Sequence, residues 1–290
     1  MNDARDNQLD CGVAWPQKVT LFGAKYTPTT YAQATRVIIA AAGQSVSGAI
    51  SCHAVHALVT FTSNSQMRDI INCFDMVLPD GQPVRWAMNV LYGTRLRERI
   101  YGPELMTRVC RQAAENGLPV YLYGGSPSVS EQLPRQLQRM YPRLTIAGSE
   151  SPPYRELSNA EMDRVVDRIN GSGARIVFVG LGCPKQDLFV HRTRHRIKAV
   201  QICVGAAFDL HGAENRMAPT WMQRYGLEWS YRLYKEPRRL WKRYLVTNTV
   251  YAAKLAIALL RVPTVTRQRE LWDGVMRDRD TEAVRDCVEE

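Results

Sequence analysis

Between about residues 18 and 205 two hydrophobic patterns alternate. Short, nearly continuous apolar runs recur: VTLF from Val19, GAISC to Cys52, MVLP from Met76, PVYLYG from Pro119, LTIAG from Leu144, RIVFVGLG from Arg175 and AVQICVG from Ala199. Runs of this length and composition predict buried strands. Between them lie longer stretches whose apolar residues return every three or four positions, most clearly over 31–42, 101–116, 129–140 and 160–170. That spacing predicts amphipathic helices. Thr27-Pro28-Thr29-Thr30 supplies a cap for the first, and Ser158 with Glu161 forms a capping box for the last.

Strand–helix alternation of this kind implies an α/β fold, a mostly parallel Rossmann-like sheet with helices on both faces. Such sheets bind ligands at the carboxyl ends of their strands. After Asp209 the pattern changes to a helical segment rich in Trp, Tyr and Arg. The apolar stretch 244–260 within it contains Asn248 and Lys254 and has 17 residues, short of the roughly 20 a spanning helix needs. It reads as amphipathic, lying in an interface or packed on the core. The expected organisation is a flexible N-terminus over 1–17, a catalytic α/β unit over 18–216, a basic aromatic appendage over 217–262 and a charged, disordered tail over 263–290.

Charge sharpens this picture. The net charge is +10, and residues 222–261 hold nine Lys/Arg against two acids. That segment faces an anion: nucleic acid, anionic lipid or a phosphorylated substrate. The seven cysteines are scattered without a CxxC pair, which fits free thiols in a reducing compartment. The acidic first residues do not resemble a signal peptide. No Cys/His spacing suits zinc, and His191 and His195 sit among Arg192, Arg194 and Arg196, which repel a cation. No metal or cofactor is expected.

Four strand ends carry candidate chemistry. In Leu78-Pro79-Asp80-Gly81 a carboxylate follows a strand directly, where it can act as a general base on an acceptor hydroxyl; Pro-Asp-Gly is also an ordinary turn. In Tyr123-Gly124-Gly125-Ser126-Pro127 a glycine pair precedes a helix N-terminus, an arrangement that admits a phosphate and equally serves a plain strand-to-helix turn. It is neither a Walker loop nor GxGxxG. Gly180-Leu181-Gly182-Cys183-Pro184-Lys185-Gln186 brings two more glycines, with Pro184 opening a helix, Lys185 for a phosphate and Gln186 for a sugar or a uracil. Val204-Gly205-Ala206-Ala207-Phe208-Asp209 ends in an acid that can also pair structurally with an Arg. Four such turns form one rim suited to a nucleotide sugar. In the basic run, Arg232, Lys235, Arg239 and Arg243 fall near one helical stripe, with Trp229, Leu233 and Trp241 elsewhere; Arg suits phosphate, and Trp and Tyr suit a membrane interface.

In order along the chain, VLPDGQPV, ERIYGPEL, YLYGGSPSV, YPRLTIAG, VGLGCPKQD, VGAAFDLHG and APTWMQRYGLEWSYRLYKEPRR resemble the WecG/TagA/CpsF family of bacterial glycosyltransferases, glycosyltransferase family 26. The resemblance implies an inverting, metal-independent hexosyltransferase. It would take a UDP-sugar donor and a polyprenyl-diphosphate-linked sugar acceptor, and act peripherally at the cytoplasmic face of the bacterial inner membrane in surface polysaccharide synthesis. It makes Asp80 the base and places Gln186 in the site. Gly124, Gly125, Ser126, Gly180, Gly182, Lys185, Gly205 and Asp209 are the remaining donor-side candidates. Ser51, His53, Arg224, Arg232, Arg238 and Arg239 are expected on the acceptor and its diphosphate. An anionic membrane surface is an expected partner, nucleic acid is not, and self-association is left open. The chain departs from the family at Ser51-Cys52-His53, where Thr-x-Asn is usual, at Asp187 for Glu, and at Ala206 for Gly. The rival class is a non-catalytic protein that uses the basic segment to hold a membrane or nucleic acid.

Overall fold

The computed structural model describes residues 13–212, 219, 221–222 and 225–261. The expected tail over 263–290 and most of the N-terminal stretch lie outside them. Six strands form one fully parallel sheet, in spatial order β4-β3-β8-β7-β5-β6. They are β3 (Gly48–His53), β4 (Met76–Pro79), β5 (Val120–Gly124), β6 (Ile146–Glu150), β7 (Ile176–Gly180) and β8 (Val200–Cys203). The run VTLF, expected as a sheet strand, is instead β1 (Val19–Leu21) of a separate antiparallel hairpin with β2 (Ala24–Tyr26). The reason is local: Phe22 and Gly23 both take positive φ, at 53° and 90°, the tight two-residue turn that folds a chain straight back on itself.

Side chains of the strands alternate between two cores, as a sheet buried on both faces requires. Val120, Leu122, Ile176, Phe178, Val200 and Ile202 face one layer: α1 (Tyr31–Gly43), α5 (Gly102–Glu115), α6 (Pro127–Met140) and α9 (Ala207–Gly212). Tyr121, Tyr123, Val177, Val179 and Cys203 face the other: α2 (Val55–Phe61), α3 (Ser65–Asn72), α4 (Gln82–Tyr92), α7 (Asn159–Gly171) and α8 (Lys185–Thr193). Each fully buried large side chain contributes on the order of 1.5–3 kcal/mol, so these two layers hold the rim loops in place. Thr30 caps α1 by accepting from the Gln33 amide at 3.2 Å. Ser158 and Glu161 form the expected reciprocal box on α7, at 3.3 and 2.8 Å.

The C-terminal segment is helical: α10 (Glu228–Lys235) and then α11 (Pro237–Leu260). One stripe of α11 seats on the layer that contains α2 and α4. Leu240 and Thr247 are buried, Tyr251 and Leu255 pack on the core beside Phe22, the Tyr251 hydroxyl donates to the Pro83 carbonyl at 2.6 Å, and Lys254 donates to the Thr62 carbonyl at 3.1 Å. The opposite stripe leaves Trp241, Leu245, Val246, Ile257 and Leu260 exposed. Among the described residues no helix is long and apolar enough to cross a membrane.

Candidate functional site

Asp80 follows β4 at the carboxyl edge of the sheet, its amide bonded to the His53 carbonyl of the neighbouring strand at 3.0 Å. Its carboxylate meets the first amide of α5, Gly102 N–H, at 3.2 Å. A helix N-terminus carries partial positive charge and favours an anion there. Gly102 also lies close to the end of β8: a Cβ on it would stand 3.0 Å from the Val204 carbonyl oxygen. Arg99 stands beside the same carboxylate with Nη1 at 4.0 Å, while its Nη2 bonds Glu228 of α10 at 2.6 Å. Tyr101 lies under the guanidinium, 4.4 Å from ring centre to Cζ, and its hydroxyl donates to Glu228 at 3.2 Å. The Tyr101 amide in turn donates to the Tyr31 hydroxyl at 2.8 Å. Burial, with the Asp80 and Glu104 charges, holds the Tyr31 phenol well above its usual range, although the Tyr101 amide and Arg99 oppose this. Sequence reasoning did not assign Arg99, Tyr101 or Glu228 to the site; the ERIYGPEL match spans the first two and the APTWMQRYGLEWSYRLYKEPRR match the third.

Beneath the rim lies a second polar group. Ser51 Oγ donates to Asp187 Oδ1 at 2.5 Å, and His53 Nε2 lies 3.3 Å from the same oxygen. His53 Nδ1 meets the Tyr26 hydroxyl at 3.0 Å, and its ring stacks on Phe61 with centroids 5.1 Å apart. One neutral tautomer satisfies both contacts, with Tyr26 donating to Nδ1 and Nε2–H donating to Asp187. Burial, and then the Cys183 and Asp187 charges, push the Tyr26 phenol up and keep it a donor. Ser51, His53 and Asp187 are all fully buried. Ser51 and His53, expected on the acceptor, both turn their side chains under the rim, where they meet Asp187 in the first turn of α8. The thiols of Cys52, Cys183 and Cys203 are raised, first by burial and then by nearby carboxylates, so none is poised as a thiolate nucleophile.

The rim glycines divide into two groups. A Cβ on Gly124 would stand 2.6 Å from the Gly180 backbone, and one on Gly180 would stand 2.6 Å from the Phe208 ring. Gly125, with φ +73°, donates to the Gly180 carbonyl at 3.1 Å and lies against Val129. These three glycines let β5, β7 and α9 close on one another. Gly182 and Gly205, at φ +77° and +57°, have open space where a Cβ would be, apart from Gln186 at 3.9 Å from the second. Gln186 is buried and spends its carbonyl oxygen on the Gly205 amide at 3.0 Å. It therefore shapes the β8 turn from within. Pro184 is the N-cap of α8, one position earlier than expected. Lys185 is exposed, with its ammonium 4.2 Å above the Tyr154 ring. Ser126 caps α6 by accepting from Val129 N–H at 3.3 Å, and Asp209 is exposed on α9.

Of the expected basic residues, Arg238 is exposed at the start of α11. Arg224 and the side chains of Arg232 and Arg239 lie outside the described residues. Arg243 was named only as part of a stripe, yet its charge reaches the rim. After burial it is the next influence lowering His56, and it counters the rise of the Cys183 thiol. A hollow of about 560 Å³ between α3 and α8 is lined by Ser65, Asp69, Cys73 and His191 but not by Asp80. It brings no set of groups to a common point, so the rim around Asp80 is the better candidate.

A model described as the glycosyl transferase WecG/TagA/CpsF family matches residues 19–264. A relative from Bacillus spizizenii, named N-acetylglucosaminyldiphosphoundecaprenol N-acetyl-beta-D-mannosaminyltransferase, is 33% identical over 183 residues, which cover 63% of this chain and 68% of the relative.

Proposed function

The chain belongs to the WecG/TagA/CpsF family of glycosyl transferases, and we propose that it moves a hexose from a UDP-sugar to a polyprenyl-diphosphate-linked N-acetylglucosamine. The acceptor class follows the name of the Bacillus relative. The observation that carries the reading is the placement of Asp80, a partly exposed carboxylate at the carboxyl edge of the sheet, held by the α5 N-terminus and flanked by Arg99.

In this reading Asp80 takes the proton from an acceptor hydroxyl as that oxygen bonds to the sugar C1, and the bond from C1 to the UDP phosphate breaks. One displacement inverts the anomeric centre. The departing diphosphate is met by the open Gly182 turn and by Lys185, while Gly205, whose amide is held by Gln186, leaves room for it beside them. The acceptor diphosphate is met by the C-terminal cations: Arg238 and Arg243, with Arg224, Arg232 and Arg239 as further candidates. No step calls for a metal ion. A pair of acids flanking the bond, as a glycosidase uses, is not needed.

The catalytic unit is taken as 18–216 and the appendage as 217–262. The exposed Trp241, Leu245, Val246 and Ile257 would dip into the interface of an anionic membrane while the neighbouring cations meet its headgroups. This makes the enzyme peripheral, on the cytoplasmic face where nucleotide sugars are found. Purified protein incubated with a panel of UDP-sugars and lipid-linked N-acetylglucosamine should release UDP and lengthen the lipid-linked sugar. Vesicle binding without UDP release from any pair would instead support the non-catalytic alternative.

A further inference from the structure

The guanidinium of Arg99 serves two carboxylates that lie far apart in the chain. Nη2 bonds Glu228 at 2.6 Å, and Nη1 stands 4.0 Å from Asp80. All three side chains are largely buried, at 12%, 12% and 16% exposed for Arg99, Glu228 and Asp80. A short, charge-assisted bond is much the stronger of the two contacts. Tyr101 reinforces it, with its ring under the guanidinium and its hydroxyl on the other Glu228 oxygen. Glu228, which belongs to the C-terminal segment, thus holds Arg99 by the short bond while Arg99 stays at the outer limit of an ion pair with Asp80.

We infer that Glu228 is a positioning residue for the base: by holding Arg99 it keeps Asp80 able to accept a proton. The inference rests on Asp80 being the base. Without the Glu228 charge, Asp80 is the carboxylate nearest the freed guanidinium. A closed Arg–Asp pair stabilises the ionised form and weakens the base. Among the described residues, the other titratable groups facing this point include Tyr31 of α1, Cys52 of β3 and Glu104 of α5, together with Tyr101 itself. They are common to wild type and variant, so a difference between the two reports the Arg99 rearrangement.

The test compares the full-length wild type with Glu228→Gln and Glu228→Asp, on vesicles containing lipid-linked N-acetylglucosamine with a UDP-sugar that the wild type uses. Glu228→Gln should lower kcat about tenfold or more while KM for both substrates changes less than about threefold. Its acidic limb of kcat against pH should move to lower pH. Glu228→Asp retains the charge and should recover most of kcat; it also carries the test if the Gln variant does not fold. A crystal structure of Glu228→Gln should show Arg99 in direct contact with Asp80. Unchanged kcat, a loss confined to KM and vesicle binding, or Arg99 unmoved in the variant would each overturn the inference. Absence of transfer by the wild type would defeat the functional reading instead, and the crystallographic comparison would still decide whether Glu228 holds Arg99 back.

Discussion

Ser51 and Asp187 share a hydrogen bond of 2.5 Å, although 136 residues separate them. It ties the end of β3 to the first turn of α8 with both partners fully buried. Removing one partner of a buried pair leaves the other poorly satisfied, at a cost of about 1–3 kcal/mol. Ser51→Ala should lower the stability in urea unfolding by that amount. A variant as stable as wild type would show that Asp187 does not depend on this bond.

Asp80→Asn should lower kcat about 100- to 10,000-fold, the range attributed to general base catalysis. An amide oxygen can still accept from the Gly102 N–H that meets Asp80 at 3.2 Å, so the thermal midpoint should stay near that of wild type. UDP release at the wild-type rate would remove Asp80 from the mechanism.

Gly180→Ala tests the closed half of the rim. The added methyl would stand 2.6 Å from the Phe208 ring, and overpacking of this kind costs about 1–3 kcal/mol. Thermal unfolding should show the loss, and pairing the change with Phe208→Leu should recover part of it. No loss in the single variant would mean that α9 shifts freely.

Leu245→Ser combined with Val246→Ser tests the outward face of α11. Both side chains are more than half exposed, at 62% and 59%, so thermal stability should change little. If they enter a membrane, each forgoes roughly 1–2 kcal/mol of burial. Binding to anionic vesicles should then fall about tenfold or more, and unaltered sedimentation with vesicles would place the membrane contact elsewhere.

The alkaline limb of stability should depend on Tyr121. Burial, the Glu150 charge and the 3.1 Å bond to Glu150 hold its phenol up at about 12, against an ordinary value of 10.0, although Arg168 pulls the other way. The folded state thus binds this proton more tightly than the unfolded chain. The contribution is fully present below pH 10.0 and is lost as pH rises through about 12. Tyr121→Phe should therefore lose less stability than wild type between about pH 9 and pH 11 in denaturant titrations. Parallel losses in the two proteins would dismiss Tyr121 as the source.

Most elements were readable because their causes are local. The runs at Val120, Ile176 and Val200 are strands since both of their faces are buried. The caps at Thr30 and Ser158 were evident because each is satisfied within three residues. The hairpin of β1 and β2 was missed because VTLF looks like any buried strand, while its partner is a three-residue segment across a tight turn. Ser51 and His53 were rightly placed at a strand end. Which way their side chains turn there depends on Asp187, Tyr26 and Phe61, which the chain brings in from three other elements.

The sequence alone determined the α/β class, the six strands of the sheet and four of the helices, the family resemblance and the candidacy of Asp80, since these follow from periodicity and motifs carried by neighbouring residues. Only the tertiary structure decided which glycines close packing and which stay open, that Gln186 points inward, and that Arg99 bridges toward Asp80 from Glu228. Those outcomes depend on distances between segments up to 129 residues apart. Such distances are set by the packing of whole layers, which no local pattern encodes.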